Sequence, residues 1–490
     1  MSVDFSHNPI FSGPFAHTFR AEVDVYDCEV EGELPADLNG AFYRVQPDFI
    51  YPPTYANDVP FNGDGNVSLF HFDHGHVDFK CRYVRTQRYK SQTRARKALY
   101  GTYRNRDTDD PGVRKLSGGT ANTNLIFHAG KLFALKEDSP PVQMDPLSLE
   151  TLDDCYTFGG RLKALTFSAH PKIDYATGEM FNICYEARGN GSTDVCFIGV
   201  DKTGKLNWEA WIKAPYAGML HDFAISENYL AFLVIPMAVN MEQMKKGGVH
   251  FAWDSTLPTW FGVLRRGGDG SDLRYFEGPE RSATHVMNSW CDGDRIFADM
   301  DMSQGNQFPF FPMLHEKFDF QRAAGRLTRV SVDLSKKAGT YATEVLYPEI
   351  GVLPRTDERY WGHPYKVGFM QVTDLSKRLD DSLTGNTGLV LNTWTRFDHD
   401  KHKSQSFYAG NITSLQECQF IPRGPNAPEG SGYLVGLANR HVEQRSDLLI
   451  LDAEHLADGP IATVKLPIKL RNGVHGHYVP GHLLPASEAR

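Results

Sequence analysis

Four histidines in this chain lie in a setting that its other histidines do not share. Each stands where an apolar stretch predicted to form a strand meets a turn, and successive members are 51, 64 and 190 residues apart. These intervals approximate one, one and three multiples of a repeat of about 60 residues, so equivalent positions in repeated units are expected. The four are His170, His221, His285 and His475.

The chemistry that four imidazoles permit is metal binding. A single histidine of this kind is more often structural, but four in phase favour a ligand set for iron, copper, zinc or nickel. Because neutral imidazoles leave the charge of the ion uncompensated, carboxylates are expected to accept hydrogen bonds from their outer nitrogens. Glu137 in KLFALKED and Glu417 in QECQFIPR are candidates, although either alone would be interpreted as a surface carboxylate.

A repeated strand pattern supplies units that would position these histidines. An alternating apolar strand ends in Asp, and a turn and a second strand follow it. One copy has Arg265 in place of the aspartate. Successive copies are 56, 64 and 68 residues apart, and the last interval, of 119 residues, is close to two further periods. This period predicts a β-propeller of about seven blades, with hairpins in a β-sandwich as the alternative. The aspartates are Asp145, Asp201, Asp333 and Asp452.

Composition agrees with an all-β fold. Hydrophobic residues make up 41% of the 490 residues, enough for a sizeable core, and 44 Gly and 28 Pro separate short runs rich in Val, Ile, Phe and Tyr. Short helices are expected only in connecting segments such as 236–246 and 315–325. We therefore expect a single propeller domain spanning residues 1–490.

Charge and targeting signals limit the partners. A formal net charge of −9 provides no basic field for a phosphate backbone, so nucleic acid is not an expected partner. The N-terminus lacks the features of a signal peptide, and no later segment is apolar enough to cross a bilayer, which predicts a cytoplasmic protein without an integral membrane segment. Seven scattered cysteines without a CxxC pair favour reduced thiols over disulfides or a zinc ribbon.

Several longer motifs resemble the carotenoid cleavage oxygenase family, and they extend over nearly the whole chain in that family's order. They are NGAFYRVQPDF, FNGDGNVSLFHF, AHPKIDYATGEMF, LHDFAIS, EGSGYLVGL and VHGHYVP. The resemblance implies a seven-bladed propeller capped by a dome of loops and short helices. It also implies one iron(II) ion, Fe(2+), per chain on the propeller axis, bound by the four histidines, with O2 as co-substrate.

The resemblance also identifies carboxylate partners for the histidines. Family members commonly have three such glutamates, and Glu137 and Glu417 match two of them. The third motif reads VLPR from Val352 onward, so its glutamate is absent and the orientation of one ligand, His285, lacks an explanation. Glu349 or a water molecule is the expected substitute.

Within the family, the chain is most similar to the lignostilbene dioxygenases. The supporting stretches are YGTYRNRDTDDPGV, LFALKED, HFAWDSTLPTWFGVLRR and MSQGNQFPFFP. By this resemblance Tyr103 and Lys136 contact the phenol oxygen of the substrate, and Phe61 stacks against a ring. Phe308, in the last stretch, is expected to line the site, with plain core packing as the alternative.

The expected reaction is cleavage of the central double bond of a 4-hydroxystilbene by O2, which yields two aromatic aldehydes. A lysine ammonium near the phenol would stabilise the phenolate and make the alkene electron-rich. The alternatives are cleavage of another phenylpropenoid or an apocarotenoid, a metal-dependent hydrolase or lactonase, and a propeller that only binds a partner. A homodimer is expected from the resemblance alone.

Overall fold

The chain folds into antiparallel β-strands grouped into seven blades around a central axis, a β-propeller. The computed structural model describes residues 20–56, 58–279, 281–336, 339–377 and 391–486, together with Phe5, Ala16 and Asp380. Around much of the ring, from blade 4 through blade 7 to blades 1 and 2, the innermost strands of neighbouring blades contact one another. The all-β propeller predicted from the repeat is therefore confirmed.

Blades 1 to 4 are separate antiparallel sheets. From the axis outward, blade 1 consists of Gly476–Pro480, Gly40–Asp48, Asp64–Asp73, His76–Tyr83 and Val23–Val25. Blade 2 consists of Asn124–His128, Lys131–Leu135, Val142–Met144 and Thr151–Asp153. Blade 3 consists of Lys172–Asp174, Glu179–Cys184, Asp194–Val200 and Leu206–Lys213. Blade 4 consists of Phe223–Ile225, Tyr229–Val234, Thr259–Arg265 and Arg274–Gly278.

Blades 5 and 6 form one continuous sheet that divides at a long shared strand, Ala342–Thr356. Its first part pairs with the preceding strand and closes blade 5, and its second part pairs with the following strand and opens blade 6. The other strands of blade 5 are Ser282–Asp292, Arg295–Ser303 and Arg326–Asp333. Those of blade 6 are Val367–Thr373, Thr393–Asp398 and Lys403–Tyr408. Blade 7 consists of Thr413–Pro422, Gly432–Arg440, Arg445–Asp452, Pro460–Lys465 and Glu29–Gly32.

Strands from the two ends of the chain close the ring. Glu29–Gly32 pairs with Pro460–Lys465 at the outer edge of blade 7. Gly476–Pro480 supplies the innermost strand of blade 1 by pairing with Gly40–Asp48. Because each end completes a blade built mostly from the other end, the first and last blades are held together by backbone hydrogen bonds.

The predicted aspartate repeat marks the same point in successive blades. Each aspartate ends or directly follows the third strand of its blade, and Arg265 ends the third strand of blade 4. Asp201 Oδ1 accepts a hydrogen bond from the backbone N–H of Thr203 at 2.9 Å, and Asp333 Oδ1 accepts one from the backbone N–H of Ser335 at 3.0 Å. Such short-range acceptance stabilises the turn to the fourth strand. Asp398 ends the third strand of blade 6, and it therefore divides the 119-residue interval between Asp333 and Asp452 into two periods.

The connecting segments carry the few helices of the described chain. The predicted segments 236–246 and 315–325 contain helices Met241–Lys245 and Phe320–Ala323, and the first also contributes to a small sheet of Met237–Val239 with Phe251–Trp253. A third helix, Gln87–Ala95, was not predicted because its sequence has no apolar stripe. Single 3-10 turns are formed by Pro60–Asn62, Arg106–Thr108, Pro111–Val113, Glu358–Tyr360, Leu456–Asp458 and Gly481–Leu483. Across the part described, every helix is too short or too polar to span a bilayer.

Candidate metal centre and substrate cavity

The four predicted histidines lie in or just before the innermost strands of four blades. His170 and His221 stand two residues before the innermost strands of blades 3 and 4, and His475 directly precedes that of blade 1. His285 lies within the innermost strand of blade 5. Since these strands all face the axis, the structure brings the four imidazoles together in the centre of the ring.

The spacing of the ring nitrogens fits one metal ion. His170 Nε2 lies 3.1 Å from His221 Nε2, which lies 3.2 Å from His285 Nε2. One nitrogen from each of the four rings lies within 4.8 Å of the others. Adjacent ligands about 2.1 Å from a common ion would be roughly 3 Å apart, as found here. The Nε2 atom of His475 is buried and has no hydrogen-bond partner among the described residues, which leaves its lone pair for an ion.

Buried carboxylates hold the outer nitrogens of two rings. Glu137, which follows the second strand of blade 2, pairs with His221 Nδ1. Glu417, on the innermost strand of blade 7, accepts a hydrogen bond from His475 Nδ1 at 2.9 Å. Because each carboxylate accepts a hydrogen bond from Nδ1–H, the Nε2 lone pair of that ring points toward the centre and becomes more basic.

Asp301 stands beside the third ring, where sequence analysis expected Glu349 or water. Asp301 Oδ2 lies 3.3 Å from His285 Nδ1, and Oδ1 accepts the backbone N–H of His285 at 2.8 Å. Glu349 instead accepts a hydrogen bond from Ser404 at 2.6 Å, so its suggested role is wrong. Its strand turns that carboxylate toward blade 6, whereas Asp301 is on the strand that pairs with the His285 strand. The hairpin HVMNSWCDGDRIFADMD contains both partners and is the sequence signal that was missed.

The charges around the cluster suit a divalent cation. Burial alone would raise the pKa of Glu417, but Arg355 and His475 beside it lower that pKa to about 2. Burial alone would also raise the pKa of Glu137, but the nearby His221 and Lys136 lower it by a larger amount, so the net shift is downward. Burial lowers the pKa of His475 to about 4. At neutral pH the ionised carboxylates Glu417 and Glu137 therefore lie close to the neutral imidazole of His475.

A cavity of about 160 Å³ lies against His221 and His285, with aromatic rings along much of its surface. The Phe308 ring meets the His221 ring edge to face at 5.8 Å between centroids. Phe61 and Phe310 meet in the same way at 5.5 Å. The cavity thus presents apolar ring surfaces next to the histidine cluster, a setting suited to a flat aromatic molecule.

Tyr103 and Lys136 form a polar end of this cavity. Lys136 Nζ donates to Thr123 Oγ1 at 3.2 Å and lies 5.2 Å from the centroid of the Tyr103 ring. Burial raises the pKa of Tyr103 to about 12 although Lys136 opposes this shift. Burial alone would lower the pKa of Lys136, but Tyr103 and Glu137 raise it by a larger amount, so the net shift is upward. A neutral hydroxyl and a charged ammonium therefore face the cavity at neutral pH.

The backbone of Tyr103 is held on both sides while its hydroxyl is left free. Its N–H donates to buried Asp58 at 2.8 Å, and its carbonyl accepts from the backbone N–H of His250 at 3.1 Å. The next residue, Arg104, pairs with buried Glu186 at 2.6 Å. No described residue hydrogen-bonds to the Tyr103 hydroxyl, which remains able to bind a ligand. Asp58 cannot be recognised from the sequence, because an isolated aspartate in a loop has no distinguishing pattern around it.

A larger groove of about 680 Å³ between blades 3 and 4 lies apart from this cavity. Its only arginine, Arg266, is paired with Asp174 at 2.6 Å and with Glu179 at 3.0 Å. The groove shares no residue with the histidine cluster, and its cation is already neutralised. It therefore offers no comparable reactive centre.

The outer carboxylates lead to a first prediction. Glu417→Gln should weaken metal retention by about 10 to 100-fold, because a neutral amide is a weaker hydrogen-bond acceptor for His475 Nδ1–H than the carboxylate. Asp301→Asn should behave similarly toward His285. Val352→Ala, at the position of the absent glutamate, should retain metal as wild type does. A chelator titration of the three variants measures this, and equal retention by Glu417→Gln and Val352→Ala would contradict it.

Comparison with known families gives one match over most of the chain. The profile described as RPE65, retinal pigment epithelial membrane protein, matches residues 16–480. The match includes all four axial histidines, Glu137, Glu417 and the residues that line the cavity.

Individual relatives are similar over nearly their full lengths. Lignostilbene-alpha,beta-dioxygenase isozyme III of Sphingomonas paucimobilis is 43% identical, over 95% of this chain and 96% of the relative. Isoeugenol monooxygenase of Pseudomonas putida is 37% identical, over 96% of this chain and 98% of the relative. The crystal structure of Pseudomonas brassicacearum lignostilbene dioxygenase superimposes with a TM-score of 0.94 at 40% identity, covering 98% of this chain and all of the other.

Proposed function

We propose that this chain, which belongs to the carotenoid cleavage oxygenase family and is a dioxygenase, uses iron(II) and O2 to cleave the central double bond of 4-hydroxystilbenes. The products would be two aromatic aldehydes, with one oxygen atom in each. The observation that supports this substrate class best is that buried Lys136 lies beside the Tyr103 ring, whose hydroxyl has no described hydrogen-bond partner, in an aromatic cavity next to the histidines.

The four axial histidines would hold the iron, with Glu137, Glu417 and Asp301 fixing three of the rings. The donor set fits this ion because neutral imidazoles suit iron(II) and the ionised carboxylates offset its charge without occupying its coordination positions. Bound iron(II) would supply the reduced metal that O2 needs in order to react with an alkene.

The polar end of the cavity would bind and ionise the substrate phenol. An ammonium close to a phenol oxygen lowers the phenol pKa by about 1 to 3 units. Lys136 Nζ would stabilise the phenolate oxygen while the Tyr103 O–H donates a hydrogen bond to it. Conjugation through the ring then places electron density on the alkene carbon, the site of oxidation. Phe61 and Phe308 would hold the rings flat against the cavity wall.

The competing reactions fit the site less well. A hydrolase or lactonase would use a carboxylate or mixed ligand set and a general base beside a metal-bound water, whereas all four candidate ligands here are histidines. A second candidate substrate class is a phenylpropenoid with one aromatic ring, because a relative 37% identical over 96% of this chain is an isoeugenol monooxygenase. Such a substrate would use the same phenol contacts.

The proposal is tested by anaerobically purified, iron-loaded protein with a panel of alkenes. We expect stoichiometric O2 uptake and aldehyde release with 4-hydroxystilbene, less with an isoeugenol-type alkene and none with an apocarotenoid. Protein loaded with zinc serves as the control and should release no aldehyde. Cleavage of the apocarotenoid in preference to both phenols would overturn the assignment.

Removing the Tyr103 hydroxyl should lower activity without abolishing it. One hydrogen bond to a charged group contributes about 1.5 to 3 kcal/mol, and Lys136 would remain to stabilise the phenolate. Tyr103→Phe should therefore reduce kcat/KM for 4-hydroxystilbene by roughly 10- to 100-fold. Steady-state kinetics check this, with iron content measured in parallel. An unchanged kcat/KM would remove Tyr103 from the proposed phenol contacts.

A further inference from the structure

The cavity has a second polar wall, across the propeller axis from Lys136. In a ring of seven blades, blade 2 lies opposite the junction of blades 5 and 6. Lys136 belongs to blade 2, whereas Gln371 is on the second strand of blade 6 and Gln307 follows the second strand of blade 5. The two glutamines therefore line the wall opposite the proposed phenol contacts.

Both glutamines lie beside the strand that carries Val352. Val352 and Gln371 are direct cross-strand partners. A Cβ atom built on Gly325 would lie 2.5 Å from Gln307 Nε2 and 2.9 Å from the carbonyl oxygen of Gly351, so Gln307 reaches the same strand. Valine at 352 leaves this wall without a carboxylate, and its polar groups are uncharged amides.

Each amide is anchored through its nitrogen and leaves its oxygen unused. Gln371 Nε2 donates to the carbonyl of Leu415 at 2.5 Å, and Gln307 Nε2 donates to the carbonyl of Asp301 at 3.1 Å. No described residue donates a hydrogen bond to either side-chain oxygen. Gln307 Oε1 is a buried atom without a hydrogen-bond partner among the described residues, and Gln371 as a whole is only 2% exposed. Buried acceptors of this kind are costly unless a ligand satisfies them.

We infer that Gln371 and Gln307 accept hydrogen bonds from neutral hydroxyl groups on the second ring of the substrate. The inference rests on the proposed function and extends it by assigning an orientation: the ionised 4-hydroxyl ring lies at Lys136 and the neutral hydroxylated ring lies at the glutamines. Two oxygens that only accept match hydroxyl donors, and they do not match a methoxy group, which has no proton to give. A one-ring alkene would leave both oxygens without partners.

The experiment compares second rings in the wild-type protein. Three 4-hydroxystilbenes are used, in which the second ring is unsubstituted, 3,5-dihydroxy or 3,5-dimethoxy. Anaerobic fluorescence titration gives Kd, and aldehyde release in air gives kcat/KM. We expect the dihydroxy compound to bind about 5- to 100-fold more tightly than the unsubstituted one, because it satisfies buried acceptors that the other leaves unpaired. The dimethoxy compound should show no such gain.

Variants assign that preference to the two side chains. Gln371→Met and Gln307→Met keep side-chain volume and remove the acceptor, so each should reduce the preference for the dihydroxy ring by about fivefold or more. Asn182→Leu is the matched control, because Asn182 is a buried amide with unbonded side-chain atoms on blade 3, outside the cavity. Its preference should equal that of wild type.

The possible results separate this inference from the proposed function. Equal Kd values for the three compounds in wild type, with cleavage of all three, would overturn the role of the glutamines and leave the hydroxystilbene assignment standing. A preference that survives in both glutamine variants would overturn it as well. Absence of cleavage of every hydroxystilbene, with iron bound, would instead refute the proposed function.

Discussion

Replacing any one of the four axial histidines with alanine is expected to abolish turnover and remove most of the bound metal. Each imidazole supplies one of four nitrogens that lie within 4.8 Å of one another, and no other group of ligand side chains was found among the described residues to replace it. The loss of metal affinity should exceed the 10 to 100-fold or so expected for an outer carboxylate. Elemental analysis of His170→Ala, His221→Ala, His285→Ala and His475→Ala measures the retained iron.

A buried histidine outside the cluster provides the control for that experiment. His128 ends the innermost strand of blade 2, and its ring contacts the carbonyl of Gly178 at 3.0 Å. His128→Ala also removes a buried imidazole, but it should leave iron content at the wild-type level because His128 lies outside the cluster. Full iron occupancy in two or more of the axial variants would refute the ligand assignment.

The sequence predicted the propeller because one local pattern recurs at the same place in each blade. Aspartates such as Asp201 and Asp333 accept backbone hydrogen bonds in the turn between the third and fourth strands. This is a short-range interaction, so residue type and spacing reveal it directly. Closure of the ring by Glu29–Gly32 and Gly476–Pro480 depends on contacts between distant parts of the chain, which no local pattern encodes.

The candidate site was predictable where side chains follow the repeat and was missed where they depend on packing. The axial histidines share the blade period, and their carboxylate partners Glu137 and Glu417 were found at strand-like positions. Asp301 was missed because its relation to His285 is set by the register of a hairpin that contains irregular pairing. The absence of a glutamate at Val352 was visible in the sequence, but its substitute was not.

The glutamines opposite Lys136 illustrate a further limit of sequence analysis. Gln307 and Gln371 are separated by a whole blade along the chain, and nothing in their neighbouring residues distinguishes them from other strand and loop glutamines. Their common feature is that each nitrogen is bonded and each oxygen is not, which depends on the three-dimensional positions of two backbone carbonyls.

Lys136→Met is expected to lower kcat/KM for 4-hydroxystilbene by roughly 10- to 1000-fold while iron content stays unchanged. The substrate phenol has an ordinary pKa near 10, and an adjacent ammonium lowers it by about 1 to 3 units, so the reactive phenolate fraction at neutral pH rises by the corresponding factor. Methionine keeps much of the side-chain volume and removes the charge. The control is Lys131→Met, in which the removed lysine lies at the start of the strand that Lys136 follows.

Methylation of the substrate tests the same mechanism without altering the protein. A 4-methoxystilbene keeps the ring and the alkene but has no ionisable proton, so it should bind in the cavity and not be cleaved. The Lys136→Met protein should likewise not cleave the methoxy compound, and it should cleave the hydroxy compound only at the reduced kcat/KM that the smaller phenolate fraction allows. The measurement is kcat/KM for both substrates in both proteins. Equal cleavage of the two substrates by wild type, or wild-type activity in Lys136→Met, would show that the reaction does not depend on a phenolate and would favour an unactivated alkene as the substrate.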